Sequence, residues 1–362
     1  MALIKSFVAG VGMLAMVAAG RAQAAPVGET HPVTSDATAS LRNADHRSDV
    51  RVTIWYPAAP DAIEHNVSIG PPGKPLRDIG SVAPDAAFAP DDGRRPVILL
   101  SHGFGGTARI MGWFGIAMAR DGYIVVAVDH PGNNGADKMT VAAVVLWWDR
   151  AQDLQAALNA AEQDPTIGPH MDLSRIVVAG FSAGGGTALL AAGARVEPGR
   201  LVRFCQANPD DGICRPQKEF TFSTQDAADV LQRPDIQAEA GHAGDDHAIP
   251  QVRAAFVMAP ALVQALDPAS LEHMSVPVEI ILGDADTVAP PATNGLFAAK
   301  LIPNVSLIRL PGVGHYDFLA SCTESGRTTV PSCRTAVPQA DTHRQAIEAA
   351  EAFFSRQLNI AQ

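Results

Sequence analysis

A serine hydroxyl is a poor nucleophile at neutral pH, and it becomes a good one only where a base can take its proton and an acid can hold that base in place. One stretch of this chain sets a serine up for that chemistry: Ile176-Val177-Val178-Ala179-Gly180-Phe181-Ser182-Ala183-Gly184-Gly185-Gly186. A β-branched run stops at a glycine, the serine follows, and three glycines open the small-residue segment Thr187 to Ala192. This is the pattern of a nucleophile elbow, a sharp strand-to-helix turn that holds the serine in a strained conformation above a sheet. The backbone crowds on itself there, so Gly180 and Gly184 are the residues the turn permits. The candidate base is His315, in the loop Pro311-Gly312-Val313-Gly314-His315-Tyr316. Two acids, Asp284 and Asp286, follow the apolar run Val278 to Leu282, and both qualify for the third position. Backbone donors for a developing oxyanion are expected from the turn His102-Gly103-Phe104-Gly105-Gly106, through the N–H of Phe104, and from Ala183 directly after the serine. In that turn His102 reads as a structural hydrogen-bonding residue rather than a base.

These residues need a frame. Continuous apolar runs at 96–101, 123–129, 176–181, 253–258, 278–282 and 305–310 have the character of strands buried on both faces. Helical patterns lie between several of them: 108–121 carries Ile110, Met111, Trp113, Phe114 and Met118, and 144–162 carries Trp147 and Trp148 as core aromatics. Strands alternating with helices at this spacing predict an α/β fold, a mostly parallel sheet with helices on both faces. Val50 to Tyr56 alternates as an edge strand would, and the forty or so residues after it, rich in proline, glycine, alanine and aspartate, read as a long surface connection with room for one short strand that the sequence does not place. Residues 25–49 read as a poorly ordered, flexible arm, and residues 50–362 as the folded domain. Within it the periodicity lapses over 196–249, which predicts a cap-like insertion between strands, and a terminal helix is expected over 342–358.

With 47% hydrophobic and 18% charged residues in 362, the composition is globular. The formal charge is −11, and a leader carrying Lys5 and Arg21 makes the remainder more acidic still, which argues against nucleic acid or an anionic membrane surface as partner. Residues 1–24 have the form of a signal peptide: Lys5, an apolar run from Phe7 to Ala19, and Ala22-Gln23-Ala24 before the expected cleavage. The run is too short to span a bilayer comfortably, so export to the periplasm or beyond is expected, without stable membrane insertion. In such a compartment the four cysteines are expected to pair by proximity in sequence, Cys205 with Cys214 and Cys322 with Cys333. They lack C-x-x-C spacing, and His242, Asp245, Asp246 and His247 have the character of solvent-facing loop residues, so no metal is assigned. No phosphate-cradling loop of the G-x-x-x-x-G-K-[ST] or G-x-G-x-x-G kind is present, and no cofactor is expected.

The order nucleophile, acid, base along the chain is that of α/β-hydrolases. More narrowly, the chain resembles the bacterial dienelactone-hydrolase-like serine esterases of that superfamily, which are also similar to platelet-activating-factor acetylhydrolases. The likeness is carried by Trp55-Tyr56-Pro57-Ala58, Ser101 to Gly106, Asp129-His130-Pro131-Gly132, Gly180 to Gly185, Gly283 to Pro290 and Gly314 to Phe318, and it extends to Cys322, Cys333 and the terminal helix. It implies an α/β-hydrolase fold, and it makes the second aspartate, Asp286, the acid that partners His315. Ser182 stands where dienelactone hydrolases proper carry cysteine, and Phe181 where the acetylhydrolases usually carry histidine. What the resemblance implies is therefore the reaction class: transfer of a short acyl group from a small-molecule or lipid-like carboxylic ester to water. A lipase or polyester hydrolase with the insertion as its lid, and a noncatalytic binding protein on a hydrolase scaffold, are the alternatives.

Overall fold

The structure, a computed structural model, describes residues 25–90 and 93–360. The leader expected over residues 1–24 lies outside them. Among the described residues the strands are β1 (Val27–Thr30), β2 (Val33–Ser35), β3 (Asp49–Pro57), β4 (His65–Ile69), β5 (Arg77–Pro84), β6 (Arg95–Ser101), β7 (Ile124–Asp129), β8 (Met171–Phe181), β9 (Val252–Met258), β10 (Val278–Gly283), β11 (Val305–Leu310) and β12 (Ser321–Cys322). They form one sheet in the order β11-β10-β9-β8-β6-β7-β3-β1-β5-β12, with β2 paired to β3 and β4 to β5. From β7 through β11 the neighbours run parallel. β3 joins this block antiparallel to β7.

The central stretches of the inner parallel strands are apolar because they are covered twice, whereas the edge strand β11 exposes Ser306, Leu307 and Arg309. Successive side chains point to opposite faces. Val97 and Leu99, Val126 and Val128, and Val178 join the layer that holds Leu154 and Leu158 of the helix Arg150–Gln163. Their sequence neighbours Ile98, Leu100, Val125, Ala127 and Val177 join the opposite layer with Phe114 of the helix Gly112–Arg120 and Phe353 and Phe354 of the helix Gln339–Leu358. In that layer the Phe256 ring of β9 stacks on Phe114 and meets Phe354 edge-on, both with centroids 5.9 Å apart. Two packed layers fix the sheet, and so fix where its carboxyl ends lie. Those ends are where the elbow after β8, the acidic loop after β10, the histidine loop after β11 and the turn after β6 all emerge.

Three expectations need correction. Residues 25–49 are not a loose arm: β1 pairs with β3 and β5, β2 pairs with β3, and the helix Ala39–Arg42 carries Arg42 into the interior. The buried guanidinium of Arg42 forks onto both oxygens of Asp153 at 2.8 Å. The stretch after β3, expected as a surface connection with at most one short strand, holds two, β4 and β5, paired antiparallel. The helix expected over 144–162 is broken: Val141–Val145 is separate, and Trp147 and Trp148 lie in a 3-10 turn ahead of Arg150–Gln163. Over 196–249 the chain holds the helices Arg200–Ala207, Thr224–Val230 and Pro234–Ala240. Disulfides join Cys205 to Cys214 and Cys322 to Cys333. No helix among the described residues is long and apolar enough to cross a membrane.

Candidate active site

Ser182 sits between β8 and the helix Ala183–Ala191 with φ 56° and ψ −121°. A non-glycine residue held there costs roughly 1–3 kcal/mol, which the surroundings must supply. They do so by fixing both of its backbone polar groups. Its N–H donates to the carbonyl of Met258 at the end of β9 (3.0 Å), and its carbonyl accepts from Gly185 (2.8 Å) and Ala261 (2.9 Å). The glycines allow the close approach: a Cβ on Gly180 would lie 2.0 Å from the carbonyl oxygen of Gly184, and one on Gly184 would lie 2.1 Å from that of Ser101. The second glycine thus makes room for β6 as well as for the elbow.

The Oγ of Ser182 lies 2.8 Å from Nε2 of His315, and Nδ1 of His315 lies 2.6 Å from Oδ2 of Asp286. All three side chains are almost wholly buried. The other carboxylate oxygen of Asp286 accepts from the backbone N–H groups of Val288 and Ala289, each at 2.8 Å. Four lone-pair directions are thereby largely occupied, and the carboxylate cannot swing away from the ring. Asp284, the other acid of this loop, is exposed and accepts from the N–H of Gly312 at 2.7 Å. It ties the acidic loop to the histidine loop and does not reach the imidazole. The ring of Phe181 lies 4.8 Å from that of His315, forming an apolar wall beside it.

The turn after β6 lies directly against the serine, since a Cβ on Gly103 would stand 3.2 Å from that of Ser182. No acceptor among the described residues meets the N–H of Phe104 or of Ala183. Ala183 is the first residue of its helix, where the backbone N–H has no partner within the helix and the helix dipole favours negative charge. The Gly103 to Phe104 peptide is held from its carbonyl end. That oxygen accepts from Gly106 N–H (3.1 Å) and from Nδ1 of His102 (2.6 Å), while Nε2 of His102 accepts from the N–H of His130 (3.2 Å). This pattern needs the neutral Nδ1–H form, and burial, with His130 and Arg150 nearby, pushes the His102 pKa well below the usual imidazole range.

Beneath the turn is a second serine, histidine and aspartate line that sequence reasoning did not assign. His130 lies 2.8 Å from Ser101 Oγ on one side and 2.8 Å from Asp153 on the other, and Asp153 carries Arg42. All of these side chains are buried, and burial with the cations Arg150 and Arg42 drives the His130 pKa well below its usual value. Ser101 ends an ordinary strand with no exposed surface, so a substrate cannot reach it. Arg150, equally buried, donates from Nε to Thr187 (3.1 Å) on the elbow helix and from Nη2 to the carbonyl of His102, joining elbow and turn. Nothing in the spacing of Arg42, Asp153 or Arg150 signals this. They meet only because β6, β7 and two helices bring them together.

Residues 211–219 of the insertion border the site. A Cβ on Gly212 would lie 2.2 Å from the carbonyl oxygen of Thr287, one residue past Asp286, and Asp211 accepts from Thr293 Oγ1 at 2.8 Å. Tyr316, adjacent to His315, donates its hydroxyl to Glu219 at 3.0 Å. No group of three or more His, Cys, Asp or Glu residues suited to a metal occurs among the described residues; His242 lies 2.8 Å from Asp245, and Asp246 pairs with Arg195.

Residues 97–324, which include the serine, both aspartates and the histidine, match the alpha/beta hydrolase family. The chain belongs to the alpha/beta hydrolase family. Among solved structures this hydrolase is similar to a ferulic acid esterase from Streptomyces cinnamoneus, with a TM-score of 0.61 at 20% sequence identity over 94% of this chain and 92% of that one. At that identity the likeness is one of fold. No curated protein matches the chain.

Proposed function

We propose that this alpha/beta hydrolase is an exported serine carboxylester hydrolase that works through Ser182, His315 and Asp286 and a covalent acyl-enzyme. The observation that carries the reading is the unbroken hydrogen-bonded line from Asp286 through His315 to a serine held at positive φ. As Ser182 Oγ attacks the ester carbonyl carbon, His315 Nε2 takes its proton and Asp286 stabilises the imidazolium that forms. The carbonyl oxygen becomes an oxyanion, met by the N–H groups of Phe104 and Ala183; losing one such donor costs about 3 kcal/mol of barrier. The C–O bond of the ester then breaks, and His315 returns the proton to the departing alcohol. A water molecule, deprotonated by the same nitrogen, releases the acid from Ser182.

Export is supported by the leader-like residues 1–24 and by two disulfides, which persist in oxidising compartments. The preference for short acyl groups rests on the motif likeness to dienelactone-hydrolase-like and acetylhydrolase-like enzymes. The test is hydrolysis of p-nitrophenyl acetate, butyrate, octanoate and palmitate, with methyl ferulate in the same panel because a ferulic acid esterase shares the fold. Rates that fall with chain length and vanish in Ser182→Ala support a short-chain serine esterase. Rates that rise toward palmitate make the insertion a lipase-type lid instead.

A further inference from the structure

The insertion places one acidic side chain between two loops of the candidate site. Glu219 lies over the oxyanion turn, where a Cβ on Gly105 would stand 2.9 Å from the Glu219 Cβ, with the Met139 sulfur at 3.2 Å on the same side. It also accepts the Tyr316 hydroxyl at 3.0 Å, and Tyr316 follows the histidine that faces Ser182, its ring edge-on to that of His315 with centroids 5.6 Å apart. Glu219 therefore spans from the loop that supplies Phe104 N–H to the loop that supplies His315. Both loops flank Ser182: Gly103 packs against it and His315 bonds its hydroxyl. Among the described residues Glu219 makes no ion pair and its side chain is exposed, so its charge is not cancelled locally.

We propose that Glu219 is a specificity-determining residue that sets the charge of the ester this hydrolase accepts: neutral and cationic esters enter, and esters bearing a carboxylate are turned away. The inference rests on the serine-esterase reading. Tyr316 holds the glutamate at the rim, where it would otherwise be free to swing into solvent. Burial first, and then Glu219 and Asp286, push the Tyr316 phenol pKa up. Two like charges about 4 Å apart in an aqueous cleft repel by enough to change a rate about fivefold, and by more where the insertion excludes water.

A matched pair of aryl acetates tests it: 4-acetoxybenzoate, an anion, and 4-acetoxybenzamide, its neutral counterpart, with the same acetyl group and a similar leaving phenol. The ratio of kcat/KM, neutral over anionic, should exceed the ratio for alkaline hydrolysis by about fivefold or more, and should narrow as salt is added. Glu219→Gln keeps a hydrogen-bond acceptor for Tyr316 without the charge and should bring the ratio to the alkaline value and remove its salt dependence. Glu219→Lys should invert it. Fold integrity alone would not move a ratio in this charge-ordered way. If both esters are cleaved and both variants keep the wild-type ratio, Glu219 does not face the substrate and the inference is overturned. If wild-type protein cleaves neither these esters nor any of the p-nitrophenyl esters, the esterase reading fails, and this inference with it.

Discussion

Among the described residues two serines face a histidine that is backed by an aspartate, and what separates them is access and backbone. Ser101 closes a regular strand in a sealed interior, with His130 kept neutral by burial and neighbouring cations. Ser182 sits at φ 56°, at the carboxyl edge of the sheet, with backbone donors beside it. The two aspartates of one loop divide in the same way. Asp286 is buried and hydrogen-bonded to His315, while Asp284 is exposed and bonded to a loop amide. Asp286→Asn should lower kcat by about ten-thousandfold, since an amide cannot stabilise the imidazolium and favours the wrong tautomer. Asp284→Asn keeps an acceptor for Gly312 and should change kcat less than about threefold, its loss being at most one exposed hydrogen bond. Steady-state kinetics of the two variants on p-nitrophenyl acetate checks this, and the reverse ranking would contradict it. At this scale the serine, the histidine and the pair of aspartates were legible because glycines and strand ends mark them. The choice of Asp286 came from the family likeness, and the geometry at His315 supplies its physical reason. Arg42, Asp153, Arg150 and Glu219 were not legible, because each acts through a partner remote in sequence.

Elements decide how those residues are held. β1 and β2 are short and carry no usable periodicity, so residues 25–49 read as a loose arm; their order comes from pairing with β3 and from the Arg42 to Asp153 fork, both long-range. Burial acts electrostatically beside the insertion as well. Asp149, in the 3-10 turn with Trp147 and Trp148, is buried and feels the charge of Glu239 on the insertion helix Pro234–Ala240. Neither of its oxygens accepts a hydrogen bond among the described residues, so a proton on Asp149 is favoured. Burial raises the Asp149 pKa to about 8, with Glu239 and Asp153 adding to the rise and Arg42, whose Nε is 3.5 Å away, opposing it. Above its unfolded pKa of 3.8 and below about 8 the folded chain holds this proton and the unfolded chain does not. Stability from this group is therefore full below the lower value, falls as pH rises toward the upper one, and levels off beyond it. Asp149→Asn has no proton to lose. Its Tm should gain on wild type steadily from about pH 5 to pH 8, as differential scanning calorimetry at fixed ionic strength would record; a difference in Tm constant across that range would contradict the account.

For the whole molecule, the sheet and its helix layers were the most legible feature, because strands buried on both faces must be apolar throughout and turns must interrupt them. β6, β7, β9, β10 and β11 lie within a residue or two of where the runs predict them, while β8 begins several residues earlier, in a polar stretch that no apolar run marks. The β4 and β5 pair and the break before Arg150 were not legible, since proline- and glycine-rich chain can pair at a sheet edge and a pair of tryptophans can pack equally well from a turn. The same sheet brings the loops after β6, β8, β10 and β11 to one edge, and there the insertion leans over them. The central claim is that Ser182 forms the acyl-enzyme. The most direct measurement is peptide-mapped mass spectrometry of the protein after reaction with a fluorophosphonate. The account predicts a single adduct on the peptide that contains Ser182, formed rapidly, abolished together with ester hydrolysis in Ser182→Ala and blocked by prior unfolding. An adduct on another residue, or ester turnover retained in Ser182→Ala, would contradict it.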